Sequence, residues 1–200
     1  MHDLIDIQGI GGETSGGAPE AASVQTLEAF CRAVGEITAD LPEKDIPGRI
    51  AALLPGVLCQ PDLLTSEQRK APETGYDRHT VFICPGDRFS VMAVVWPAGV
   101  YSPIHDHATW CAFGVYDGVV EETCYEALGE EHVDSDGKPV ARLVSTELHR
   151  PGAVAHMPAA ATHIHQMHNP GSQAAISIHV YGGNCEKLGP NVDKVYRAGS

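Results

Sequence analysis

Basic residues are scarce in this chain of 200 residues, with 13 Lys and Arg against 26 Asp and Glu and a formal net charge of −13. Phosphates and anionic lipid surfaces are held by Lys and Arg, so neither a nucleic acid nor a membrane surface is an expected partner. Long apolar runs are also missing, and no stretch approaches the length of a membrane-spanning helix. The first residues lack the basic start and apolar core of a secretory signal, which makes the cytoplasm the expected compartment. The cysteines (Cys31, Cys59, Cys84, Cys111, Cys124 and Cys185) form no CxxC pair and no framework spacing, which argues against a disulfide scaffold or a Cys-rich zinc site. What remains is a chain of one-domain size whose 43% hydrophobic content allows a real core. An acidic surface does not exclude a small anionic substrate, because a cationic pocket can lie buried inside it.

Three zones follow one another without an internal repeat. Residues 1–22 are rich in Gly, Ser and Glu and read as a flexible arm. GIGGETSGG within it superficially suggests a phosphate loop, but no strand precedes it and no lysine follows. A helical cap is expected over 23–70, where Leu27, Phe30, Cys31 and Val34, then Ile50, Leu53 and Leu54, recur at helical spacing. Pro42 and Pro55 should divide it into two or three short helices. From Tyr76 the pattern turns to short β-rich runs (HTVFIC, RFSVMAVVW, WCAFGVY, VVEETCYEAL, VARLVSTEL, GAVAHM, AAISIHVY) separated by turn residues. The expectation is a mainly β fold, with a barrel or jelly roll over 76–184 and a tail over 185–200. Residues 23–200 would form a single domain.

His105 and His107 share one face of a strand, whose side chains alternate, while Asp106 points the other way. Gly99 lies six residues before His105, Cys111 four after His107, and Gly118 seven beyond Cys111. This string resembles the first motif of the cupin superfamily, with Cys111 at the usual glutamate position. Gly152, Pro158, a following histidine and Asn169 resemble the second. The resemblance implies a cupin fold, a double-stranded β-helix or jelly-roll barrel, with a small N-terminal helical segment.

Two histidines do not hold a metal tightly, and THIHQMHN offers a third. Counting forward from Pro158 selects His163; counting back from Asn169 selects His165. The backward count is preferred, because histidine and asparagine share one strand while the two extra residues fall in a turn. His163 would then stand behind the ligand. Three neutral imidazoles carry no charge to offset M²⁺, which leaves the metal receptive to an anionic, soft ligand such as a thiolate. On SIHVYGGN, Ser177, His179 and Tyr181 alternate onto one face and can form a hydrogen-bonded chain.

With these residues in place, the chain closely resembles the cysteine dioxygenase family of thiol dioxygenases over roughly Tyr76 to Asn184. The resemblance rests on HDH (His105, His107), a histidine before an asparagine (His165), S-x-H-x-Y (Ser177, His179, Tyr181) and an upstream Y-x-R (Tyr76, Arg78). It implies Fe(II) held by His105, His107 and His165, with Arg78, beside Tyr76, clamping a substrate carboxylate. Tyr181 would donate a hydrogen bond, oriented by His179 and Ser177. In the animal enzymes a cysteine replaces the cupin glutamate and can form a thioether with the tyrosine, so a cross-link between Cys111 and Tyr181 is open; bacterial relatives use glycine there.

Bacterial relatives acting on 3-mercaptopropionate often carry glutamine at the Arg78 position and another arginine after the terminal H-x-Y. Here no arginine follows Tyr181 until Arg197, yet HDHATW and HVYGGN look like that branch. The substrate class implied is a small thiol carboxylate (cysteine, 3-mercaptopropionate or mercaptosuccinate), oxidised by O₂ to a sulfinate. Trp110 and Phe113 either limit water access or pack the core. His149, His156 and His168 have no assigned role. Two other readings stay open: a three-histidine cupin using Zn or Mn as a hydrolase or isomerase, and a cupin binding module without catalysis. Oligomeric state is not legible.

Overall fold

Thr26 accepts a hydrogen bond from the Ala29 N–H at 3.1 Å, capping the first helix, α1 (Leu27–Asp40). Its buried stripe is Phe30, Cys31, Ala33, Val34 and Ile37, the helical periodicity read from the sequence. After Pro42 and a single 3₁₀ turn, α2 (Ile46–Leu58) begins with Pro47 in its first turn, where a missing N–H costs nothing. Pro55 was expected to break this zone but lies inside α2. It falls in the last turn, and the apolar face around it (Leu53, Leu54, Val57, Leu58) is buried, so packing outweighs the one lost backbone bond. The computed structural model describes residues 24–159, 163–189 and 191–199; the expected arm and its glycine-rich loop lie outside them. So does most of the turn that carries the two extra residues after Pro158.

Ten strands follow among the described residues: β1 (Asp77–Ile83), β2 (Phe89–Trp96), β3 (Ile104–His107), β4 (Cys111–Asp117), β5 (Val120–Ala127), β6 (Val140–His149), β7 (Val154–Met157), β8 (Ile164–His168), β9 (Ala175–Gly182) and β10 (Val192–Ala198). One sheet has the order β1-β2-β9-β4-β7 and is antiparallel throughout. The other runs β10-β3-β8-β5-β6 and closes into a ring, because β10 also pairs in parallel with β6. A one-turn helix, α3 (Cys185–Leu188), separates β9 from β10. The protein is therefore mainly β with a small N-terminal helical segment. Among the described residues, no helix is long and apolar enough to cross a membrane.

Strands β2 and β9 are buried along their whole length, and the period of two explains why. Val91, Ala93 and Val95, with Ile176, Ile178 and Val180, pack against α1 and α2. Met92, Val94 and Trp96, with Tyr181, point to the opposite face together with Cys111, Phe113 and Val115 of β4. That second face looks onto the ring sheet, and the functional site lies between the two. The segment expected as a tail supplies both α3 and β10. In β10 only Tyr196 is buried, and the apolar residues of VDKVYRA are broken by charges on both faces, so no clean alternation marks the strand.

Gly118 turns β4 into β5 at φ +71°, and a Cβ there would sit 2.8 Å from the Ala175 Cα. Gly99 has a similar φ of +74° but open space around it. Gly99→Ala should thus lose only about 1 kcal/mol, the cost of the left-handed conformation. Gly118→Ala adds a backbone clash and should lose roughly 3 kcal/mol. Urea unfolding of the two variants side by side measures the difference.

Candidate functional site

Strand β3 is wholly buried and projects His105 and His107 into the space between the sheets. Across the ring sheet, β8 places His165 directly opposite His105. The three rings have centroids 5.0, 4.7 and 5.0 Å apart, and one nitrogen from each lies within 4.8 Å of the others. Hydrogen bonding selects which nitrogen is offered. His105 Nδ1–H donates to the Pro103 carbonyl at 2.9 Å, and His165 Nδ1–H donates to Glu122 Oε1 at 2.7 Å, so each keeps its lone pair on Nε2. Among the described residues, the His165 Nε2 left by that bond is one of four buried side-chain polar atoms with no hydrogen-bond partner. A buried imidazole nitrogen without a partner is costly unless something occupies it, so the cluster fits a metal ion. Burial, reinforced by His165, pushes His105 down to about 3; the same causes hold His107 low as well. Both are therefore neutral, the form that binds metal.

His163 lies just before β8, and its Nε2–H donates to Glu122 Oε1 at 3.2 Å, outside the three-histidine cluster. Asp106, between the two β3 histidines, is turned away from the pocket. It accepts from the Lys194 N–H at 2.7 Å and the Tyr196 hydroxyl at 2.8 Å, tying β10 to the strand that carries the cluster.

Glu122 is the residue that sequence reasoning missed. Only 4% exposed, it accepts from His149 Nε2–H at 3.0 Å as well as from His163 and His165. Burial alone would raise its carboxyl pKa; the three imidazole donors outweigh that and hold it well below the usual range. The expectation of a site with no protein charge near the metal is corrected here: an anion stands one hydrogen bond behind His165. The only sequence signal was a charged residue at an inward position of VEETCYEA, and nothing there announces partners 27, 41 and 43 residues away. His149, given no role at first, is a satisfied core residue.

On β9, Ser177, His179 and Tyr181 do form a chain: Ser177 Oγ to His179 Nε2 is 2.8 Å, and His179 Nδ1 to the Tyr181 hydroxyl is 3.1 Å. Trp96, also missed, sets its direction. Its Nε1–H can only donate, and does so to Ser177 Oγ at 2.9 Å, so the serine hydrogen is left for His179 Nε2. Burial pushes His179 down to about 3, so the neutral ring carries its hydrogen on Nδ1, facing Tyr181. The tyrosine hydroxyl hydrogen is then available to Cys111 or to a molecule in the pocket. Burial first, then Cys111 and Cys185, raise the Tyr181 pKa well above the ordinary value, so it remains a donor.

Cys111 pairs across the sheet with Tyr181, its sulfur lies 3.9 Å from His179 Nδ1, and burial raises the thiol pKa well above its usual value. Tyr76 stacks on Trp96 with centroids 4.7 Å apart, and Tyr76 and Arg78 line the same pocket as the three histidines, His179 and Tyr181. Phe113 lies under this pocket, stacked on His179. Trp110 packs on the helix-facing side instead. His156 sits beside Gly48 and His168 stacks on Tyr101, both away from the site.

A buried three-histidine cluster beside a carboxylate, inside a β scaffold, defines a non-haem metalloenzyme. Residues 69–188 match the family of cysteine dioxygenase type I, and the chain belongs to that family. It is accordingly an oxidoreductase with a cysteine-dioxygenase-type iron site. Among solved structures, the chain is similar to a conserved double-stranded β-helix protein of Klebsiella pneumoniae (13% identity, 69% of this chain and 100% of that one, TM-score 0.46). It is also similar to the cupin domain of Schizosaccharomyces pombe Cnp3 (14% identity, 62% and 76%, TM-score 0.44). A third likeness is to TT1209 of Thermus thermophilus (17% identity, 58% and 91%, TM-score 0.42).

Proposed function

We propose that this protein is an Fe(II)-dependent thiol dioxygenase, built on a cupin jelly-roll barrel, that adds both atoms of O₂ to the sulfur of a small thiol carboxylate to give a sulfinate. One observation carries the reading: Arg78 and Tyr181 line the same pocket as His105, His107 and His165. A cation for a carboxylate, a proton donor and a metal-binding cluster thus address one small molecule together. Iron, when bound, lowers the pKa of the substrate thiol and supplies the redox chemistry that joins it to O₂.

Each remaining task falls to a residue of the chain. Arg78, with Tyr76 beside it, holds the carboxylate by a bidentate pair and so sets where the sulfur lies. Tyr181 presents its hydroxyl hydrogen to the reacting end, kept in that orientation by His179, Ser177 and Trp96. Val94, Met167 and Val192 line the pocket with apolar surface and keep water from competing with the substrate. A thioether between Cys111 and the Tyr181 ring, its register partner, would need a two-electron oxidation by O₂ and would appear as a mass lower by two hydrogens.

Oxygen uptake by Fe(II)-loaded protein with cysteine, 3-mercaptopropionate, mercaptosuccinate and cysteamine tests the proposal. Uptake is expected with carboxylate-bearing thiols, with a product heavier by two oxygens, and little with cysteamine. Arg78→Ala should raise KM for the preferred thiol roughly 30-fold or more, the worth of charged hydrogen bonds, and leave the weak cysteamine rate unchanged. Iron-loaded protein inert toward all four thiols would overturn the reading.

A further inference from the structure

The cupin motif read from the sequence normally contributes a glutamate to the metal, and this chain has Cys111 there instead. We infer that Glu122 takes over the role of that anion from one bond further out, as the positioning residue that fixes His165 and sets the affinity and redox potential of the metal. This rests on the metal-centre reading given above and deepens it.

The geometry carries the inference. The Glu122 carboxylate is buried between β5 and the ligand strand β8, and Oε1 receives His165 Nδ1–H at 2.7 Å. An ionised carboxylate only accepts, so this contact forces the hydrogen onto Nδ1 and the lone pair onto Nε2, the nitrogen left buried without a partner. Carboxylate, imidazole and metal in series raise the basicity of the ligand and lock its ring, an arrangement whose loss typically costs 10–100-fold in metal affinity. The other oxygen is anchored by His149 Nε2–H at 3.0 Å, and Phe113 closes edge-on against that ring. The carboxylate is thereby held from behind, and the negative charge it brings favours the more highly charged metal. His105 has no such partner: its Nδ1–H goes to a neutral carbonyl. The charge is therefore placed on one ligand of the three.

Glu122 also forms a group with Cys124 and His163 whose ligand atoms lie within 4.8 Å of one another. A second ion there would have to compete for carboxylate oxygens already engaged by His149 and His165, and would have to displace the proton of a thiol that burial and Glu122 hold in place. The positioning role needs no such rearrangement.

The test is metal affinity, measured with Co(II) and Zn(II) by competition against a chromophoric chelator, without any thiol present. Glu122→Gln should bind 10–100-fold more weakly than the unmodified protein at one ion per chain, and the ferric/ferrous midpoint potential should rise. Glu122→Asp retains the charge but draws it back by one methylene, and should fall between the two; it also serves if the glutamine variant does not fold. Equal affinities and potentials in all three proteins would overturn the inference. So would two ions per chain with the second abolished by Cys124→Ser. Weakened binding in a protein inert toward thiols would leave this inference standing and remove the proposed substrate; no metal binding by the unmodified protein would remove both.

Discussion

His165→Ala protein should purify without stoichiometric iron, and its thiol-dependent oxygen uptake should fall to background. Two β3 histidines remain in that variant, too few protein ligands to hold the ion tightly. Since perturbing the partner of a metal ligand typically costs 10–100-fold in affinity, removing the ligand itself should cost more than about 100-fold. His163→Ala is the informative contrast. Two residues away, its Nε2–H is committed to Glu122 and its ring stands outside the cluster. That variant should keep one iron per chain and most of its activity. Metal content per chain after gel filtration, with far-UV circular dichroism to confirm folding, separates the two. Iron retained by His165→Ala and lost from His163→Ala would reverse the ligand assignment.

Phe113→Ala should be the most damaging single change to the scaffold near the site, at about 3–5 kcal/mol. The ring is 0% exposed, on the inward face of β4, stacked on His179 with centroids 5.2 Å apart and set edge-on to His149 at 5.3 Å. It therefore wedges two polar networks apart: the serine–histidine–tyrosine chain on one side and the Glu122 cluster on the other. Truncation leaves a cavity into which either histidine can turn. The melting temperature should drop by roughly 10 °C for a domain of this size. Phe113→Leu, which refills most of the volume, should lose less than about half as much. A calorimetric scan of metal-free protein gives both numbers. A loss below 1 kcal/mol in Phe113→Ala would mean the networks hold themselves apart without the ring.

These two residues also mark what the sequence made legible. Strand alternation predicts the shared face of His105 and His107, and that of Ser177, His179 and Tyr181, from spacing alone. Turn residues and apolar runs predict the mainly β class. What spacing does not contain is the neighbour across the sheet. Glu122 reads as one more charge in a strand until β8 and the end of β6 bring three histidines to it. Trp96 reads as a core aromatic until β9 pairs alongside β2 and puts Ser177 Oγ against its N–H. β10 was missed for a different reason: its apolar residues are interrupted by Asp193, Lys194 and Arg197, so no run or clean alternation announces a strand. Pro55 shows the opposite error, a strong local breaker overridden by the packing of the helix face around it.

The short β3 has a consequence for how the molecule assembles. Its partners are β8, roughly sixty residues later, and β10, whose Tyr196 reaches Asp106 across 90 positions of sequence. Neither partner is its neighbour in sequence, so the chain must close two long loops before His105 and His107 come to rest opposite His165. Until Tyr196 arrives, Asp106 is a carboxylate that cannot be buried without penalty. A receptacle assembled so late should be completed by the polypeptide before the ion enters it, and the rate at which holoprotein appears during refolding should then be independent of metal concentration.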